Sequence, residues 1–108
     1  MIEALLGNKT AEKVLLFITV YGEGYAKKMA TVFNLSVNGI QQQLQRLEAG
    51  GILVSQLKGR TRVYYFNPRC VFIDNIKALM EKVLSYMPNE EIQKYYRERT
   101  RPRRKGKI

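Results

Sequence analysis

The chain has 108 residues, enough for one domain around one core and too few for two. Its 19 Lys and Arg against 9 Asp and Glu leave a net charge of +10, which points to a polyanionic partner. Histidine is absent and Cys70 is the only cysteine, which excludes histidine-dependent hydrolase triads, mixed Cys/His zinc sites and an internal disulfide.

No apolar run approaches the roughly 20 residues of a membrane span, and the N-terminus lacks the basic, apolar, small-residue order of a secretory signal. The expectation is a cytoplasmic, nucleoid-associated protein with no membrane contact, no metal and no cofactor. The charge is uneven. Residues 97–108 hold seven basic side chains and Glu98, a net of +6, which leaves +4 for residues 1–96.

Met1 to Gly7 can form a helical turn with Ile2, Leu5 and Leu6 on one side. Thr10 then offers an N-cap and Glu12 a first-turn carboxylate. Ala11, Val14, Leu15 and Ile18 mark one face of a helix running to about Tyr21. Gly22 to Gly24 break it, and Ala26, Met29, Ala30 and Phe33 outline a short second helix. Asn34 enters the left-handed region cheaply and suits a tight turn. Ser36 caps a third helix with a buried stripe of Ile40, Leu44 and Leu47, which Gly50 and Gly51 stop.

At Ile52 the period changes. "ILVSQL" and "RVYYF" are β-branched and aromatic runs around a turn centred on Gly59, which reads as a β-hairpin. Asn67-Pro68 ends it. A long helix follows from near Val71 with a stripe of Ile73, Ile76, Met80, Val83 and Met87, widened by Phe72, Leu79 and Leu84. After Pro88, "EEIQKYYRERT" forms a last helix, with Glu90-Glu91 serving its dipole, and Pro102 releases the chain.

Two short helices joined by a tight turn and followed by a hairpin describe a winged helix-turn-helix. Small Ala30 sits where the helices cross, Asn34 comes four residues later at the turn, and Ile40, six further on, plugs the angle between them. The expected fold is mainly α with a small β-hairpin, a winged helix-turn-helix with a C-terminal dimerisation helix. Residues 1–88 would form the DNA-binding domain and 89–108 a helix and basic tail.

The segment from Lys27 to Phe66 resembles the ArsR-type winged-helix transcription regulators. The resemblance rests on Met29-Ala30, the Leu35-Ser36 turn, Leu44 and Leu47 before Gly51-Ile52, and Gly59-Arg60 in the wing, and covers about Ala11 to Leu84. It implies a homodimer that binds operator DNA with paired recognition helices, and a wing along the backbone or in the minor groove. The chain departs from the metal-sensing members, whose ligands are clustered cysteines, histidines or carboxylates, so a non-metal-sensing member is implied.

With Ile40, Leu44 and Leu47 inward, Val37, Asn38, Gln41, Gln42 and Gln45 project outward, and Gln43 flanks the core edge. Amides donate and accept together, which matches N6 and N7 of adenine. The recognition helix, about 36–49, would enter the major groove, with Ser36 at its start. Arg46, Lys27 and Lys28 would reach phosphates, which position a protein without reading sequence. Lys58, Arg60, Thr61 and Arg62 would form the wing contact over 58–62.

The stripe Ile73, Ile76, Met80, Val83 and Met87 exceeds what one helix needs, so part would pair two subunits. Arg97, Arg99, Arg101, Arg103, Arg104, Lys105 and Lys107 would hold a polyanion, and Tyr95-Tyr96 would stack on bases or pack against the domain. The function implied is a sequence-specific regulator of double-stranded DNA, a dimeric repressor. An RNA-binding or ribonucleoprotein module and a protein adaptor are the alternatives. There is no phosphate-cradling glycine loop and no catalytic carboxylate pair, so no enzyme is expected.

Overall fold

The computed structural model describes residues 1–96 and begins with a single helical turn, α1 (Glu3–Leu6), followed by α2 (Lys9–Tyr21). Asn8, rather than Thr10, caps α2: its side-chain oxygen accepts from the Ala11 N–H at 2.8 Å. Two capping-type residues stand two positions apart, and the one preceded by a chain-reversing glycine takes the role. Glu12 has a different use from the one its position suggests. It is buried and accepts from the Ile2 N–H at 2.8 Å and from the Met1 ammonium at 2.9 Å, so it fastens α1 onto α2. The same ammonium donates to Glu3 and draws that carboxyl down to about 2.

From Ala11 to Ile18 every residue of α2 except Lys13 is buried. A helix apolar on nearly all sides belongs in the middle, and the other elements wrap around it. Next come α3 (Ala26–Phe33) and α4 (Val37–Ala49). Between them Asn34 takes φ 56° and ψ 50°, and the Leu35 N–H returns to the Ala30 carbonyl at 3.0 Å, so the chain reverses within three residues. Ser36 caps α4 by accepting from the Gly39 N–H at 3.0 Å. Ala30 and Ile40 are both buried at the crossing, as the sequence spacing requires.

The hairpin pairs β1 (Leu53–Lys58) with β2 (Thr61–Phe66), in register from Leu53 opposite Phe66 to Lys58 opposite Thr61. The two-residue turn is Gly59-Arg60, with Gly59 at φ +65°, the first central position that a type II′ turn reserves for glycine. Periodicity does not reveal a third, one-residue strand. Gly24 exchanges both backbone hydrogen bonds with Tyr64, at 3.0 and 2.8 Å, so the stretch read as a helix break also docks the wing against α3.

The chain approaches so closely there that a Cβ on Gly24 would lie 2.9 Å from a Phe17 ring carbon and overlap the Met29 methyl. Gly24→Ala should therefore cost about 1–3 kcal/mol through overpacking, visible as a lowered unfolding midpoint in thermal melts. A midpoint equal to wild type would contradict this close approach.

The sheet leads into α5 (Ile73–Tyr86) and α6 (Asn89–Tyr95). The α5 stripe serves the protomer's own core: Ile73, Met80, Val83 and Leu84 are buried, and Ile76 and Met87 pack against that core half-buried. At the other end, Tyr95 and Tyr96 pack on Phe33 of α3, with ring centroids 5.1 and 6.0 Å away. Lys13 spans the Phe33 and Tyr95 rings at 5.4 and 5.0 Å, and the Tyr21 hydroxyl donates to the Tyr95 carbonyl at 3.0 Å. Of the two uses open to this tyrosine pair, packing is the one observed. Burial pushes the Tyr96 phenol well above its ordinary pKa. Among the described residues no helix is long and apolar enough to cross a membrane.

Candidate nucleic-acid interface

Helix α4 has one buried edge, two engaged flanks and one open face. Ile40, Leu44 and Leu47 form the buried edge. At 100° per residue, Asn38, Gln42, Gln45 and Ala49 lie directly opposite, and all four are exposed. Among the described residues, the amides of Asn38, Gln42 and Gln45 have no hydrogen-bond partner in the protein, so both their donors and their acceptors are free for a ligand.

The flank toward the wing carries Val37, Gln41 and Glu48. Gln41 was expected to project outward with the other readers; instead it is half-buried and its Nε2 donates to the Tyr64 hydroxyl at 3.1 Å. Tyr64 is fully buried and its phenol oxygen needs a partner, which the glutamine provides. Glu48 accepts from Ser55 Oγ at 2.7 Å, a second tie from α4 to the hairpin. Val37, in the first turn, remains 49% exposed beside Leu35 at 37%.

The opposite flank carries Gln43 and Arg46. Gln43 Oε1 accepts from Asn8 Nδ2 at 3.2 Å and from Arg46 Nε at 3.0 Å. Arg46 Nη2 donates to the Leu6 carbonyl at 2.7 Å. Arg46 was expected on a phosphate; in the structure its Nη2 ties the end of α1 to α4, while its Nε holds Gln43, which in turn accepts from Asn8. Gln43 sits at the core edge as its position indicates. Arg46→Ala should remove this strap and lower stability by about 1 kcal/mol, with a smaller effect for Arg46→Lys. Hydrogen exchange at Leu6 to Asn8 is the sensitive readout; unchanged protection there would contradict the strap.

Cations lie on the two elements that pack against α4, although Lys28 lines the groove between α2, α3 and α6. Lys27 and Lys28 are exposed on α3. On the wing, Lys58 Nζ pairs with Glu23 at 3.1 Å, and Arg62 Nη1 donates to Ser55 Oγ at 3.0 Å. Among the described residues Arg60, at the turn, is the wing cation with no protein partner. Thr61 closes the hairpin opposite Lys58. Residues 58–62 contain no anion of their own, but Glu23, remote in sequence, comes across and pairs with Lys58.

The five residues named for subunit pairing, Ile73, Ile76, Met80, Val83 and Met87, face inward, three of them buried and two half-buried. A helix beside the core buries its most apolar stripe there first, which leaves Phe72 at the N-cap, Leu79 and Tyr86 as large apolar residues exposed at 65%, 36% and 70%. Phe72 and Leu79 were expected to widen the buried stripe and do not. The basic residues from Arg97 to Lys107 lie outside the described residues. A groove of about 810 Å³ between α2, α3 and α6, lined by Phe17, Tyr21, Tyr25 and Tyr95, includes no residue of α4.

No protein-family model and no curated protein sequence matches this chain. Solved structures do. The YusO protein of Bacillus subtilis superposes with a TM-score of 0.55 at 15% identity, over 80% of this chain and 67% of that one. A MarR family transcriptional regulator from Silicibacter pomeroyi gives 0.56 at 16%, over 84% and 62%. The adhesin competence repressor of Streptococcus pyogenes gives 0.57 at 15%, over 91% and 76%. The chain thus spans 62–76% of the lengths of these proteins.

The family named among them is MarR, whereas the motif resemblance is to the ArsR type, and the likeness extends to architecture alone. The chain has the mainly helical fold with a small β-hairpin that characterises the winged helix-turn-helix.

Proposed function

We propose that this protein is a sequence-specific double-stranded DNA-binding transcriptional regulator, acting on the nucleoid as a dimeric repressor. One observation carries the reading: a stripe of three amides, unpaired among the described residues and with no charge on it, on the open face of α4, a helix that packs against lysine-bearing α3 and against the wing with its arginines. Neutral donor–acceptor groups suit base edges, and cations on the adjoining elements suit phosphates. The ArsR-type assignment rests on the turn and wing motifs.

The dimer would use the second face of α5 and not its buried stripe. Phe72, Leu79 and Tyr86 recur at intervals of seven, symmetrically about Leu79. An antiparallel copy would set Leu79 on its own equivalent and Phe72 against the partner's Tyr86, the self-complementarity of a two-fold interface. Paired recognition helices would then read half-sites about 34–36 Å apart. Leu79→Glu should shift sedimentation from dimer to monomer without unfolding the protein. A wild-type monomer at concentrations that saturate DNA would contradict the dimer.

Selection of bound duplexes from a random pool tests the function. A recurring motif is expected, with Arg60→Ala weakening binding to selected and unrelated sequences both. Structured or single-stranded RNA that displaced duplex at equal salt would overturn it in favour of RNA binding.

A further inference from the structure

We infer that the half-site contacted by α4 consists of A·T pairs, with Asn38 and Gln42 on adenines and Val37 against a thymine methyl. This deepens the DNA-binding reading above and rests on it. The commonest reader of guanine is a bidentate arginine or lysine. Arg46 is the only cation in α4, and its Nε and Nη2 are engaged at 3.0 and 2.7 Å by Gln43 and the Leu6 carbonyl. Cytosine is read by a carboxylate that accepts from its N4 amino group. Glu48 is the only carboxylate in α4, and it lies on the wing flank against Ser55 at 2.7 Å.

What remains open is amide and aliphatic. Of the five amides in α4, Gln41 and Gln43 are spent inside the protein, and Asn38, Gln42 and Gln45 are free among the described residues. Asn38 and Gln42 stand one turn apart at the end of the helix that enters a groove first, where each could donate to N7 and accept from N6 of adenine. Val37, 49% exposed on the adjacent flank, offers two methyl groups where thymine presents its C5 methyl. The wing agrees with this preference, because Arg60 is unpaired and arginine favours the narrow minor groove of A-tracts.

The test applies base analogues to the best duplex recovered by selection with the full chain. Selection should return A·T pairs at the central major-groove positions. Exchanging one adenine for 7-deazaadenine, which lacks only the N7 acceptor, should weaken wild-type binding by about 5- to 150-fold, and should do little further harm to whichever of Asn38→Ala and Gln42→Ala has lost that contact. Exchanging thymine for uracil should weaken wild type several-fold and leave Val37→Ala indifferent. Recovery of G·C pairs at those positions, or analogue losses equal in wild type and variants, would overturn the inference while leaving DNA binding intact. Failure to enrich any duplex would instead overturn the DNA-binding reading itself, and this inference with it.

Discussion

Replacing Asn38 and Gln42 together by alanine is expected to abolish discrimination between the selected operator and unrelated duplex, while leaving fold and non-specific affinity nearly unchanged. Each amide is exposed and without a protein partner among the described residues, so truncation should alter stability by no more than about 0.5 kcal/mol. Each bidentate contact to a base is worth about 1–3 kcal/mol, so losing two should weaken operator binding by about 2–6 kcal/mol, less any coupling between residues one turn apart. Gln45→Ala should cost less, because it lies deeper along the helix. Fluorescence anisotropy on operator and scrambled duplex at one salt concentration measures both affinities. Equal losses on the two duplexes would mean that this face does not read bases.

The largest effect on stability is expected at Tyr64. Three connections meet there: the paired backbone of Gly24 at 3.0 and 2.8 Å, the Gln41 amide at 3.1 Å, and a ring that is 1% exposed. Tyr64→Ala should cost about 3–5 kcal/mol, as for other large aromatic truncations in cores. Against the 5–15 kcal/mol that small domains possess, that is a large fraction, equivalent to a fall in Tm of about 12 °C or more. Tyr64→Phe keeps the packing and should cost only about 1 kcal/mol for the lost hydrogen bond. A Tyr64→Ala protein that melted like wild type would show that the wing is not joined to the helices through this ring.

Local signals were legible in the sequence. Asn34, Ser36 and Gly59 act through backbone geometry within a few residues, and each does what its type and spacing indicate. The buried edge of α4 follows from periodicity alone. The departures at α4 and the wing involve partners far along the chain. Arg46 meets Leu6 across 40 residues, Gln41 meets Tyr64 across 23, and Lys58 meets Glu23 across 35, so each side chain looks free until the fold closes.

The α5 stripe illustrates a related point. Periodicity finds the most apolar face of a helix without saying whether its own subunit or another covers it, and here the protomer claims Ile73, Met80 and Val83. The seven-residue spacing of Phe72, Leu79 and Tyr86 was present in the sequence as a weaker second face. The three glutamines in a row are the instructive case, because one helix turns them in three directions: Gln41 to the wing, Gln43 to the N-terminal loop, and Gln42 to the open side.

Titrating the selected duplex into uniformly 15N-labelled protein, and following the side-chain NH2 signals of the amides of α4 by NMR, tests the central claim most directly. The account requires the Asn38 and Gln42 signals to shift and become protected while those of Gln41 and Gln43 stay nearly in place. Shifts confined to the engaged pair, or to the face of α5 around Leu79, would contradict it.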